Sequence, residues 1–228
     1  SAVSGVVTYQ PEELILAAAP GTPMAEIEAM LAERGQQLAF EPPDFGPLWG
    51  LPSGRGTLGG AIMTGRGGPR RLTAGGPRDH CLGVKGVNGF GQAFAAGGRV
   101  VKNVTGFDLP KLIAGSFGTL CVATELTVKV LPAASDMATL AVLGLGDDAA
   151  MKVMSQALGT SAQVSSAAHL PADIARVSSA AGVIGQAAVT LLRLEGVRPS
   201  VAVRVGHLAQ ALEGAGPQVL LDREASVA

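Results

Sequence analysis

Pro52-Ser-Gly-Arg-Gly-Thr-Leu-Gly-Gly60 opens a series of glycine-rich, basic segments. Gly67-Gly-Pro-Arg-Arg71, Arg78-Asp-His-Cys-Leu-Gly83, Val101-Lys-Asn-Val-Thr-Gly-Phe-Asp108 and Gly115-Ser-Phe-Gly-Thr-Leu120 follow in that order. Between Gly50 and Gly118 lie 19 of the chain's 32 glycines and nine of its 17 Lys and Arg, with only Asp79 and Asp108 on the acidic side. The remainder carries eight basic and 16 acidic residues, so a formal net charge of -1 conceals a cationic middle in an acidic frame. Glycine lets backbone approach a ligand closely, while free N–H groups and basic side chains attract anions. The expected guest is a phosphate, a pyrophosphate or a carboxylate. The competing reading is a loop-rich fold whose glycines mark turns and whose arginines are solvated.

Working outward, 228 residues suffice for one large domain or two modest ones. At 47% hydrophobic and 15% charged the chain is globular rather than disordered. It has no run of about 18 apolar residues that would suit a membrane span. Cys81 and Cys121 are too few for a disulfide scaffold and suit reduced thiols, so cytoplasm is the expected compartment. One Trp, one Tyr and a near-neutral charge give neither the stacking platforms nor the basic footprint of nucleic-acid binding.

Val6–Tyr9 and Leu14–Ala18 read as two strands. A helix follows, with Thr22 as N-cap, Pro23 at its first position, Ile27, Met30 and Leu31 on one face, and Gly35 as its stop. Residues 41–53 hold four prolines and no periodicity, and so form a loop. Gly54-Arg-Gly-Thr-Leu-Gly59 satisfies the G-x-G-x-x-G pattern, but the stretch before it contains Pro47 and Pro52 and cannot be the central strand that a Rossmann site requires. Cys81–Asn88 and Gln92–Ala95 read as a hairpin. Residues 109–114 read as a helical turn, and Cys121–Leu131 as a strand after a glycine turn. Asp79 either holds its loop by pairing with Arg78 or Arg71, or approaches a ligand. His80 is either a ligand neighbour or a structural hydrogen-bonding residue. Beyond Pro132 the pattern is strand (139–143), helix (147–158), strand (163–169), strand (189–194), helix (200–212) and strand (219–221), a ferredoxin-like βαββαβ order. His169 and His207 have no partner at metal-ligand spacing, so packing or surface roles are expected and no metal site.

The ordered motifs resemble the vanillyl-alcohol oxidase or PCMH-type FAD-binding superfamily. Glu41-Pro-Pro43, Gly68-Pro-Arg-Arg71 and Lys102-Asn-Val-Thr-Gly-Phe-Asp108 are most similar to the FAD-binding subunits of bacterial glycolate oxidases. The resemblance implies an α+β fold with a PCMH-type FAD-binding domain over residues 1–132, second subdomain only, and a partial cap or substrate domain over 133–228. It implies that Thr57-Leu-Gly-Gly60 opens a helix whose N–H groups face the cofactor, and that Thr57, Gly59, Gly60, Thr64, Gly67 and Gly68 contact FAD. The bland alternative is that Gly59 and Gly60 only pack helix on sheet. Gly118 and Val122 are implied along the adenine-ribose half, with the backbone of Val122 reading the adenine edge. Lys102 and Thr105 are implied near the flavin and the substrate carboxylate, where a cation and a hydroxyl donor would bind and orient an anion. Phe107 stands where many relatives have Tyr, so one polar handle is lost.

The implied function is flavin-linked oxidation of glycolate, or a similar 2-hydroxy acid, to the 2-oxo acid. Its partners would be a companion flavoprotein subunit and an iron–sulfur subunit, with membrane association only through that complex. The alternative is a non-catalytic flavin or assembly subunit, with catalysis in the companion; a UDP-sugar reductase relative shares the glycine pattern. The superfamily's pyrophosphate-loop subdomain precedes the strand equivalent to Val6–Tyr9, and none is present ahead of it here. The chain is therefore expected to be an internal piece that purifies colourless, since three lost charge-assisted bonds at about 1.5 to 3 kcal/mol each weaken binding by several decades.

Overall fold

Ile15-Leu-Ala-Ala18 shows no polar alternation, and in the computed structural model all four residues are buried. The structure describes residues 3–98, 106–177, 185 and 187–227. It divides into two compact units, Ser1–Ala133 and Ala134–Ala228.

In the first unit, β1 (Val6–Gln10), β2 (Ile15–Ala18), β4 (Cys81–Asn88), β5 (Ala93–Gly97) and β6 (Cys121–Lys129) form one antiparallel sheet in the order β1-β2-β6-β4-β5. A two-stranded ribbon pairs β3 (Gln36–Gln37) with β7 (Leu131–Pro132). Helices α1 (Met24–Ala32), α2 (Leu58–Thr64), α3 (Arg71–Ala74), α4 (Pro77–His80) and α5 (Leu109–Ile113) complete the unit. Its core joins Leu16, Leu126 and Val128 of the sheet to Ile27, Leu31, Leu58, Ile62 and Ile113 of the helices, around a fully buried Phe40.

Thr22 does not cap α1 as expected. Pro23 is the cap residue, and the helix begins at Met24. Thr22 is fully buried, its hydroxyl lying 2.7 Å from the carbonyl oxygen of Ala19 while it accepts from the Gly5 N–H at 2.9 Å. A buried hydroxyl that would otherwise be orphaned outweighs capping an end that Pro23 already shapes. Gly35 ends the region at φ +62°, as read.

In the second unit, β8 (Asp136–Leu143), α6 (Asp147–Leu158), β9 (Ser166–Leu170), α7 (Ala172–Ala175), β10 (Val189–Gly196), α8 (Arg198–Ala211), β11 (Gln218–Leu221) and α9 (Arg223–Val227) follow in sequence. The sheet order is β11-β8-β10-β9 and every pairing is antiparallel. With the short α7 and α9 set aside, this is the expected βαββαβ unit. Leu140, Val142, Leu192 and Leu194 face α6 and α8 across the core. Arg204 staples α8 to the sheet, its guanidinium donating to the carbonyl oxygens of Glu195 at 2.6 Å and Ala162 at 3.0 Å.

Candidate functional site

α2 is placed from both ends. Its cap residue Thr57 accepts from the Gly60 N–H at 3.1 Å. Leu58 N–H donates to Thr22 O at 3.0 Å and Gly59 N–H to Pro20 O at 2.7 Å. At the far end, Gly115 N–H donates to Ile62 O and Phe117 N–H to Met63 O, so the glycine turn before β6 is sewn onto carbonyls of the last helical turn, that of Ile62 accepting from the Gly65 N–H as well. Gly65 and Gly115 make that approach feasible: a Cβ on Gly65 would stand 3.0 Å from Gly115 Cα.

The result is an open groove of about 400 Å³ lined by Pro20, Gly21, Thr57, Gly59, Gly60, Met63, Gly118, Cys121, Val122 and Ala123. Thr57, Gly59, Gly60, Gly118 and Val122, distant in sequence, thus share one cleft. Thr64 joins Thr57 and Gly60 in a second hollow of about 320 Å³ on the same helix. Gly67 and Gly68 line neither. A Cβ there would meet the carbonyl oxygens of Phe40 at 2.8 Å and Glu41 at 3.0 Å, so their glycine requirement is one of packing against that segment. Lys102 and Thr105 lie outside the described residues.

Two expectations change on this geometry. The first-turn amides of α2 are not free for an anion, because Pro20, Thr22 and Thr57 take them. Nor do cations ring the groove: its described lining contains no Lys or Arg. Instead, Arg55 and Arg66 line the second hollow, while Lys85 and Lys111 are engaged with Glu125 and Asp108, each at 2.9 Å. What the groove offers is a strand edge. β2 pairs with β6 only from Leu126 onward, so the Cys121–Glu125 half of β6 has β4 on one side and, among the described residues, no strand on the other. Alternate residues there turn N–H and C=O toward the open side, which suits the hydrogen-bonding edge of a planar heterocycle. Val122, 70% exposed, and Gly60 give that edge an apolar, close-approach floor.

The flanking titratable groups are structural. His80 is fully buried, with Nε2 2.8 Å from Ala74 O and Nδ1 3.2 Å from Lys129 O, and its ring meets Phe40 edge-on at 5.4 Å. Asp79 holds its loop by accepting from the Gly76 N–H at 2.9 Å. Cys121 borders the groove, but burial raises its thiol pKa, and burial pushes that of Cys81 up to about 12, so both favour the unreactive protonated form. In the second unit, His169 lies 3.0 Å from the hydroxyl of fully buried Thr190 and 3.4 Å from Asp147, a packing role.

The second hollow, lined also by Met24, Phe45, Trp49 and Leu51, was not legible in the sequence. Its loop is pinned by Asp44, whose carboxylate accepts from Ser53 Oγ at 2.6 Å, Gly54 N–H at 2.7 Å and Gly46 N–H at 2.9 Å. The Ser53 hydrogen bond foremost, then those of Gly54 and Gly46, holds the Asp44 carboxyl below the ordinary aspartate value. A depressed folded-state pKa means the tie is complete above the ordinary value and is lost as pH falls through the lower, folded-state one. The emission of Trp49, the chain's single tryptophan, is therefore expected to stay constant at neutral pH and to change only in acid. Asp44→Asn, measured by the same emission at neutral pH, should produce part of that change.

Residues 1–97 match the family described as FAD binding domain. The match falls within the first unit and bears out the resemblance to FAD-binding proteins read from the ordered motifs. Among curated proteins, the chain is 44% identical over 128 residues to glycolate oxidase subunit GlcE of Escherichia coli (strain K12), covering 56% of this chain and 35% of that one. It is 33% identical over 152 residues to glycolate oxidase subunit GlcD of Bacillus subtilis (strain 168), covering 66% and 30%. A D-lactate dehydrogenase of Archaeoglobus fulgidus is 40% identical over 86 residues, 38% of this chain and 19% of that one. The chain thus spans about a third or less of the length of these relatives. A solved alkyldihydroxyacetonephosphate synthase superposes with a TM-score of 0.72 at 17% identity, covering 96% of this chain and 41% of that one, which shows the shared fold.

Proposed function

We propose that this chain is the FAD-holding part of a flavin-linked oxidoreductase that converts glycolate, or a similar small 2-hydroxy acid, to the 2-oxo acid. The observation that carries the reading is the groove, which gathers Thr57, Gly60, Gly118 and Val122 beside the open edge of β6. Bound there, FAD would supply the hydride-accepting chemistry. The open β6 edge would hold the adenine edge, Gly60 would admit the cofactor chain close to α2, and Thr57 would keep that helix in register. Lys102 would bind the substrate carboxylate and Thr105 would orient it. Electrons would leave to partner subunits of a glycolate oxidase-like complex, a companion flavoprotein and an iron–sulfur protein.

The test is Val122→Glu in the full-length protein. The side chain is 70% exposed, so the fold should tolerate the change, while a carboxylate at the groove floor opposes a pyrophosphate-bearing ligand. FAD affinity should fall at least about tenfold, roughly 1.4 kcal/mol, with the thermal midpoint nearly unchanged. Undiminished FAD affinity would remove the groove from the reading. Lys102→Met separates a catalytic subunit from an assembly subunit: glycolate turnover should fall steeply, and unchanged turnover would place catalysis in the companion.

A further inference from the structure

We propose that Trp49, backed by Phe45, is the stacking platform for the isoalloxazine ring of the bound cofactor; this rests on the FAD reading above. The second hollow and the groove share Thr57 and Gly60, so they meet along one side of α2. A ligand with two ring systems joined by a flexible chain can occupy both, one ring in each. The groove, with its open strand edge, suits the ring that carries hydrogen-bonding groups at its rim. The hollow, walled by Met24, Phe45, Trp49 and Leu51, suits a broad apolar face. Its volume of about 320 Å³ is at the lower end for small-molecule sites.

The wall exists before any ligand arrives. Phe45 and Trp49 stack with ring centroids 6.2 Å apart and planes 27° from parallel, and the Arg66 guanidinium lies 5.2 Å over the Phe45 ring. Trp49 N–H donates to Gly46 O at 3.0 Å, Leu51 N–H to the same oxygen at 2.9 Å, and Asp44 closes the loop from Gly46 to Gly54. Trp49 is nonetheless 72% exposed. An indole carried on a loop fixed by these hydrogen bonds, stacked on Phe45 and exposed at the lining of an apolar hollow, is arranged to receive another planar ring at little ordering cost. Arg55 and Arg66 at the same hollow add positive charge beside the electron-poor ring system.

The experiment compares wild type, Trp49→Leu and Trp49→Phe in the full-length protein, titrated separately with FAD and with ADP. Indole in contact with a flavin quenches flavin emission, so bound-flavin fluorescence should rise several-fold in Trp49→Leu and much less in Trp49→Phe. FAD affinity should drop about tenfold in Trp49→Leu, the scale of one lost aromatic stack, while ADP affinity stays unchanged because the groove is intact. Unaltered flavin emission and FAD affinity in Trp49→Leu, with wild type still binding FAD, would overturn the platform and leave the FAD reading standing. Equal losses for ADP and FAD would also overturn it, since the residue would then be shaping the groove. A wild type that takes up no FAD would overturn both.

Discussion

Gly60→Leu is expected to abolish detectable FAD binding while leaving the protein as stable as before. Gly60 is exposed and lies in the linings of both the groove and the adjoining hollow, so a branched side chain there projects into the space that both halves of the cofactor would use. A Cβ at this position meets only Thr57 Oγ1, at 3.3 Å, and that hydroxyl can give by a few tenths of an ångström. Helix propensity moves in the favourable direction by somewhat under about 1 kcal/mol, partly offsetting any weakening of the Thr57 cap. A loss of at least about 100-fold in affinity, roughly 2.7 kcal/mol, read by calorimetric titration with FAD, would be the expected result. Retained affinity with an unchanged thermal midpoint would show that the ligand path avoids α2.

Gly59→Ala, one residue earlier, should do the reverse. Gly59 is buried, and a Cβ would stand 2.7 Å from Pro20 Cβ and 2.8 Å from the Pro20 carbonyl oxygen, which is backbone and cannot swing aside. The same carbonyl accepts the Gly59 N–H at 2.7 Å, so relieving the clash stretches that bond. The propensity gain of about 1 kcal/mol is outweighed by overpacking, and a net loss of about 1 to 3 kcal/mol is expected. Urea unfolding followed by far-ultraviolet dichroism would measure it. An unchanged midpoint would mean that the Ala19–Gly21 segment yields more easily than its hydrogen bonds indicate.

These two neighbours show how far the sequence could be read. The motif Thr57-Leu-Gly-Gly60 was legible as a helix start because a capping threonine and two glycines carry local chemistry. Which glycine opens onto the groove and which abuts a proline was not, because that depends on Pro20, a residue brought alongside by the turn after β2. The five strands of the first sheet and the βαββαβ order of the second unit followed from short apolar runs and glycine punctuation, whereas the β3–β7 ribbon and the one-turn helices α3 and α4 did not. The reading of Thr22 as a cap failed because its hydroxyl has a tertiary use at Gly5 and Ala19. The anion-ready amides of α2 failed for the same kind of reason, being taken by Pro20 and Thr22. The hollow beneath Trp49 was hidden because residues 41–53 have no periodicity. The one available signal was Asp44 set nine and ten residues ahead of Ser53 and Gly54, a spacing that no local rule interprets.

The sewing of the Gly115–Phe117 turn onto α2 also fixes when the cleft can come into being. One wall is made by residues near Thr57 and the other by residues near Val122, more than sixty positions later. A ribosome must therefore have released β6 before the cleft has two sides, and closing so long a stretch of chain slows its assembly. Until then Leu58 and Ile62, fully buried in the finished unit, lack their Leu126 and Val128 neighbours. A nascent chain halted ahead of Cys121 would thus present greasy surface to chaperones, and no cofactor could rescue it at that stage.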